Sequence, residues 1–337
     1  MKAVVLYKPG GILIEDRVIP QPKDDEVLIQ IRSCGVCGTD YALYKGTYPA
    51  IYPVIIGHEF SGEVSEIGRN VTAFKCGDRV TVDPNRVCHK CYYCQSGNEH
   101  LCENLRSMGV HIDGAAAEYC VMAETNVYKI PNSLSYDEAA FCEPLACAIH
   151  GNDIANVKTG DTVVVIGAGT MGSLIIQCAK LSGAANIIIS EPIEKRRELA
   201  LINGATYAID PFKKDLKEEV KRIQSVGADV VFEVAGNNKM QAESISLARK
   251  GGTVVFFGCS PQDKFIEVNP FIINENELKI YGSFNNQFAT ARAVELLGKG
   301  IIKVDNLISH YFKLEEYLNI FKVFGGPETI KLMVRIS

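Results

Sequence analysis

Thr162-Val-Val-Val-Ile166 runs straight into Gly167-Ala-Gly169-Thr170-Met171-Gly172, and the reading of this stretch decides the fold. Residues 162–166 are β-branched throughout, which favours a strand, and the run is apolar enough to be buried on both faces. The glycines that follow break it. From 170 to 181, apolar residues fall at 171, 174, 175 and 178, the spacing of one helix face. A buried strand, a glycine turn and an amphipathic helix are therefore expected in succession.

Working outward, the same alternation continues. A second buried strand is expected at 186–190, then a charged helix at 193–202 and further strands at 206–209, 229–234, 253–258 and 279–284. Strands alternating with helices imply βαβ units and a parallel, doubly wound α/β sheet. Upstream the chain is β-rich, with short segments at 2–7, 26–31, 60–67, 79–82 and 119–122 separated by Gly, Pro, Asp and Asn turns. Past 284 two helices (289–297 and 314–321) and a last strand (330–336) are expected. A length of 337 residues fits two domains. We expect residues 1–150 and 286–337 to form a β-rich catalytic domain, and residues 151–285 to form the α/β domain.

The glycine turn has the spacing and context of a dinucleotide site. Gly167 allows the tight turn, Gly169 lets the backbone approach a pyrophosphate, and Gly172 permits close helix packing. Thr170 and Met171 open the helix, whose free N–H groups and dipole favour phosphate. Glu191 lies 19 residues after Gly172 at the end of the next strand, where an acid binds the ribose hydroxyls and favours NAD over NADP. Arg196 and Arg197 follow, and arginines there can accept a 2′-phosphate. The competing reading is a nucleotide-free turn with Glu191 solvated at a helix start.

Cys88, Cys91, Cys94 and Cys102 form C-x2-C-x2-C-x7-C on a hydrophilic stretch. Four thiolates at this spacing can close a tetrahedral shell around a structural zinc with no open position. An iron–sulfur cluster is the runner-up, although the usual ferredoxin run closes with a shorter last gap. Twelve cysteines without a charged-then-apolar leader argue against a disulfide framework. The net charge of -5 offers no basic footprint for nucleic acid, and no run reaches the roughly 20 apolar residues of a membrane span. The expectation is a soluble, cytoplasmic protein.

Cys34-Gly-Val-Cys37-Gly-Thr39-Asp40 and Gly57-His58-Glu59 precede the cysteine loop. Taken in this order with the loop and the glycine turn, they resemble the medium-chain zinc alcohol dehydrogenase family over essentially the whole chain. Glu143-Pro144-Leu145 points to the sorbitol and other polyol dehydrogenases within it. The resemblance implies a GroES-like catalytic domain beside a Rossmann NAD domain, and two zinc ions per chain, one catalytic and one structural. It makes Cys37 and His58 catalytic zinc ligands, with Glu59 or Glu143 completing the set and exchanging during turnover. Cys142 is a weaker choice for that position, being offset by one. A carboxylate in place of thiolate makes the zinc a harder Lewis acid, suited to a 1,2-diol. Asp40 matches the acid that orients His58, and Thr39 the hydroxyl that takes the substrate proton. Phe257, Gly258 and Cys259 match the strand end near the nicotinamide, and Ser283, Phe284 and Asn285 flank the cofactor.

Two departures stand out. Ala42 replaces a proton-relaying histidine, and Asn285-Asn286 replace an Arg-Tyr pair of sorbitol dehydrogenases. The implied reaction is oxidation of a secondary alcohol, a sugar alcohol, to a ketone with hydride transfer to NAD. A polyol phosphate, a vicinal diol and L-threonine are the alternative substrates, and a non-catalytic NAD- and zinc-binding regulator is the alternative class. The strand 279–284 would edge the sheet, where relatives pair into homodimers and homotetramers.

Overall fold

In a computed structural model, which describes residues 1–336, the chain divides into two compact units, Met1–Ala146 with Asn286–Ser337, and Cys147–Asn285. The first division falls inside the helix Cys142–Ala155.

The unit Cys147–Asn285 is built on a six-stranded, wholly parallel sheet. Its spatial order is Tyr207–Ile209, Asn186–Ser190, Thr162–Ile166, Ala228–Glu233, Ala248–Phe256 and Lys279–Gly282. Chain direction across the sheet reverses beside Thr162–Ile166, so the glycine turn leaves the sheet at the topological switch point where α/β proteins bind ligands. All five residues of that strand are buried. The helix Thr170–Leu181 begins where expected, with Gly169 at its N-cap and no side chain capping it. The positive end of its dipole thus lies at the glycine turn, which favours an anion there.

The other unit carries a seven-stranded, largely antiparallel sheet whose central strand is Glu26–Val36. Glu59–Ile67 pairs with it on one side and Lys331–Arg335 on the other. The C-terminal strand therefore lies beside the segment that leads into Cys37. A strand at Ile308–Lys313, which the sequence reading omits, pairs in parallel with Lys331–Arg335. The expected helix 314–321 becomes a short 3₁₀ turn, Leu314–Glu316, followed by the helix Tyr317–Val323. Apolar residues of Glu26–Val36 and Glu59–Ile67 belong to one core cluster with Leu43, Tyr317 and Ile320.

Candidate active site

Cys37 is the N-cap of the helix Gly38–Lys45, and this fixes where its thiol points. Asp40, at the third helical position, accepts a hydrogen bond from the Cys37 N–H at 2.9 Å, half of a capping box. The other Asp40 oxygen accepts from the Gly57 N–H at 3.1 Å. Gly57 has φ +90 and sits against Ala116, so a side chain there would be both strained and crowded. Asp40 is wholly buried, and it ties the loop bearing Cys37 to the one bearing His58 and Glu59. Its Oδ1 is 3.7 Å from His58 Nδ1, an ion-pair distance rather than a hydrogen bond.

Donor atoms of Cys37, His58 and Glu59 all lie within 4.8 Å of one another, a set that could hold a metal ion. Thr39 Oγ1 is 3.6 Å from Cys37 Sγ. Glu143 enters from the first turn of Cys142–Ala155 and is also buried. Burial, reinforced by the charge of Glu59, pushes its carboxyl up to about 7, although His58 and Lys331 pull the other way. Burial on its own would depress the His58 imidazole, yet the neighbouring Cys37 and Asp40 raise it well above the ordinary range. A buried site this rich in thiol and carboxyl groups fits a divalent cation, since like charges packed together need a counter-charge.

The sequence reading omits one member of this site. Lys331, 3% exposed, forms an ion pair with Glu59 Oε2 and donates to the Val36 carbonyl at 3.2 Å. Gly35 makes the room, because a Cβ on it would come within 2.5 Å of Glu59 Oε2 and 2.7 Å of Lys331 Cε. A lysine inside an apolar strand (Ile330-Lys331-Leu332-Met333-Val334) is the signal that could have found it.

In the four-cysteine loop, one thiol from each of Cys88, Cys91, Cys94 and Cys102 lies within 4.8 Å of the others. Cys91 Sγ is 3.5 Å from Cys94 Sγ and 3.9 Å from Cys102 Sγ. Cys102 Sγ also accepts N–H groups from Cys88 and Asn104 at 3.3 Å. Backbone N–H groups, first that of Lys90, hold the Cys88 thiol down at about 6. This donor set is closed and soft, and it fits zinc.

In the other unit, Gly167 adopts φ +102, and a Cβ on Gly172 would overlap the Gly167 carbonyl. Nothing lies within 4 Å of where a Gly169 Cβ would be, so the helix start is open. Glu191 is 3% exposed and accepts the Ala168 N–H at 2.8 Å and the Ile193 N–H at 3.0 Å. It thereby clamps the glycine turn to the next strand. Arg196 lies half-buried on the following helix, Glu194–Asn203. Arg197 is engaged elsewhere, by the Glu191 and Pro192 carbonyls at 2.7 Å and Asp210 at 3.3 Å. Phe257 and Gly258 both donate their N–H to the Glu233 carbonyl, at 2.9 and 2.8 Å. Gly258 packs too closely on Gly236 to carry a side chain, and Cys259 lies beside the same glycine. The Ser283 N–H bonds Phe256 O at 3.2 Å, Phe284 is 43% exposed, and Asn285 turns the chain with φ 56. Glu233, absent from the sequence reading, is buried at the switch point and accepts the Ala235 N–H at 2.9 Å.

Residues 23–132 match the family model for the alcohol dehydrogenase GroES-like domain, and residues 170–298 match that for zinc-binding dehydrogenase. The chain belongs to the zinc-binding alcohol dehydrogenase family. It is 35% identical to sorbitol dehydrogenase of Bacillus subtilis, over 94% of this chain and 91% of that one. It is 37% identical to L-threonine 3-dehydrogenase of Pyrococcus furiosus, over 100% and 99%. A Sinorhizobium meliloti 1021 protein described as a zinc-binding dehydrogenase, bound to NADP, superposes with a TM-score of 0.97. That protein is 40% identical, with 99% of this chain and 98% of that one covered. The family's two domains, a GroES-like unit and a parallel-sheet nucleotide unit, are the two described above.

Proposed function

We propose that this protein oxidises an unphosphorylated polyol to a ketone, using zinc and NAD. The observation that carries the reading is the set Cys37, His58 and Glu59 with Glu143 beside it, in which the imidazole and both carboxyl groups are buried and the thiol is partly exposed. Bound there, zinc supplies Lewis acidity that lowers the alcohol's pKa, and NAD supplies the hydride acceptor. Cys37 and His58 would be ligands, with Glu59 or Glu143 completing the set and leaving one position for the substrate. The Thr39 hydroxyl, close to Cys37, would take the alcohol proton. Asp40 would hold the Cys37 and His58 loops in register. A phosphate ester would meet the carboxylates of Glu59, Glu143 and Asp40, and the ammonium beside them, that of Lys331, is already committed to Glu59. A neutral vicinal diol meets no such repulsion.

The buried acid Glu191 supports NAD as the cofactor, because its carboxylate repels a 2′-phosphate and retains lone pairs for ribose hydroxyls. The edge strand Lys279–Gly282, with Tyr281 42% exposed, supports a homodimer or homotetramer built by sheet pairing. Among the described residues no helix is long and apolar enough to cross a membrane, and we take the site of action to be the cytoplasm.

The test is NAD reduction across free polyols, phosphorylated polyols, L-threonine and simple diols, with Glu143→Ala in parallel. The account expects the fastest turnover with a free polyol, and loss of turnover in E143A with the four-cysteine zinc retained. Turnover confined to L-threonine or to phosphorylated polyols would overturn the substrate reading.

A further inference from the structure

Glu59 is claimed from two sides. Its carboxylate belongs to the donor cluster with Cys37 and His58, and the same carboxylate is ion-paired to the buried ammonium of Lys331. Both groups are almost sealed from water, with 2% and 3% of their side chains exposed. Lys331 has little freedom to leave. Its strand is locked antiparallel to Glu26–Val36, its Nζ also bonds the Val36 carbonyl, and the ring of Phe141 lies 5.9 Å from the ammonium. Gly35 is shaped around the pair, since any side chain there would strike both partners. A buried carboxylate shared by two cations is held less tightly by each than by either alone, because every lone pair and unit of charge spent on one is withdrawn from the other.

We infer that Lys331 is a positioning residue that competes with the catalytic metal for Glu59, keeping this glutamate a weak, displaceable ligand so that the site can open for substrate. The inference rests on the metal reading proposed above and concerns only how Glu59 is shared. It makes a directional prediction that a purely structural lysine would not. Removing the ammonium strengthens the hold on zinc, whereas loss of packing would weaken it.

The experiment compares wild type, Lys331→Met, Lys331→Arg, Glu59→Gln and the double variant E59Q/K331M, each loaded with zinc. Release of zinc to a chromogenic chelator is followed in time, and the melting temperature is recorded with and without metal. In K331M the catalytic zinc should leave about tenfold more slowly than in wild type, the scale on which partners of metal ligands act. The gap in melting temperature between loaded and metal-free protein should widen, since metal becomes the only counter-charge to Glu59. Its kcat should fall more than its KM changes. K331R should behave as wild type, and K331M should have no effect on release when Glu59 is already glutamine. The double variant lacks both charges and so tests the idea even if K331M alone folds poorly. Zinc release in K331M at the wild-type rate or faster would overturn the inference, as would an unchanged K331M effect in the E59Q background. A wild-type protein that holds only the four-cysteine zinc would instead overturn the metal reading itself.

Discussion

Replacing Asp40 with asparagine probes the site without changing its shape. Asp40 is fully buried, its two oxygens accept from the Cys37 and Gly57 N–H groups, and it lies 3.7 Å from His58 Nδ1. An amide has one oxygen, so one of these N–H groups must face an NH2 instead. Leaving a buried donor unpaired costs roughly 1–3 kcal/mol. Because the two donors belong to or adjoin Cys37 and His58, the proposed sulfur and nitrogen ligands, that cost is expected to fall on the metal-loaded geometry. Loss of a partner behind a metal-binding histidine typically weakens metal affinity about 10–100-fold, which at 1.36 kcal/mol per tenfold is the same range. D40N is therefore expected to bind the catalytic zinc about 10–100-fold more weakly. Chelator competition measures this, with the four-cysteine zinc as internal reference. Unchanged affinity in D40N would refute the reasoning. Equal loss of both zinc ions would indicate general unfolding and refute it too.

Other perturbations have equally definite outcomes. Gly172→Ala places a methyl group into the Gly167 carbonyl, so cofactor binding monitored by NADH fluorescence should be lost while both zinc ions remain. Glu191→Ala frees the Ala168 and Ile193 N–H groups, two hydrogen bonds worth about 1 kcal/mol each. Its KM for NAD should rise by about tenfold or more, and its preference for NAD over NADP should narrow. Cys102→Ser removes the thiol that accepts from Cys88 and Asn104. It should cost one zinc per chain by elemental analysis and make residues 88–102 sensitive to protease, with NADH binding intact in the other unit.

How much of this was legible in the sequence depended on how locally each feature is encoded. The glycine turn, the four-cysteine loop and the Cys37–Asp40 cap each close within about fifteen residues, so spacing alone reveals them. Lys331 and Glu59 stand 272 residues apart and meet only because the last strand pairs with Glu26–Val36. Ile308–Lys313 was missed because it is an edge strand with no fully buried residue and hence no alternation to read. The helix Cys142–Ala155 escaped for the opposite reason. It is buried almost all round, which erases the amphipathic period. In the sequence Asp40 stands out only as a partner of His58. Its hydrogen bonds to two backbone N–H groups depend on Gly57 adopting a left-handed conformation, which the sequence does not display.

The proposed reaction is hydride transfer from a polyol carbon to NAD at a zinc site built on Cys37 and His58. Its most direct test supplies a free polyol bearing deuterium on the carbinol carbon and follows the label by mass spectrometry of the reduced cofactor. The account predicts one deuterium transferred per ketone formed, none after the catalytic zinc is stripped, and full recovery when zinc is restored. Ketone formation without label in the cofactor, or transfer undiminished in zinc-free protein, would contradict it.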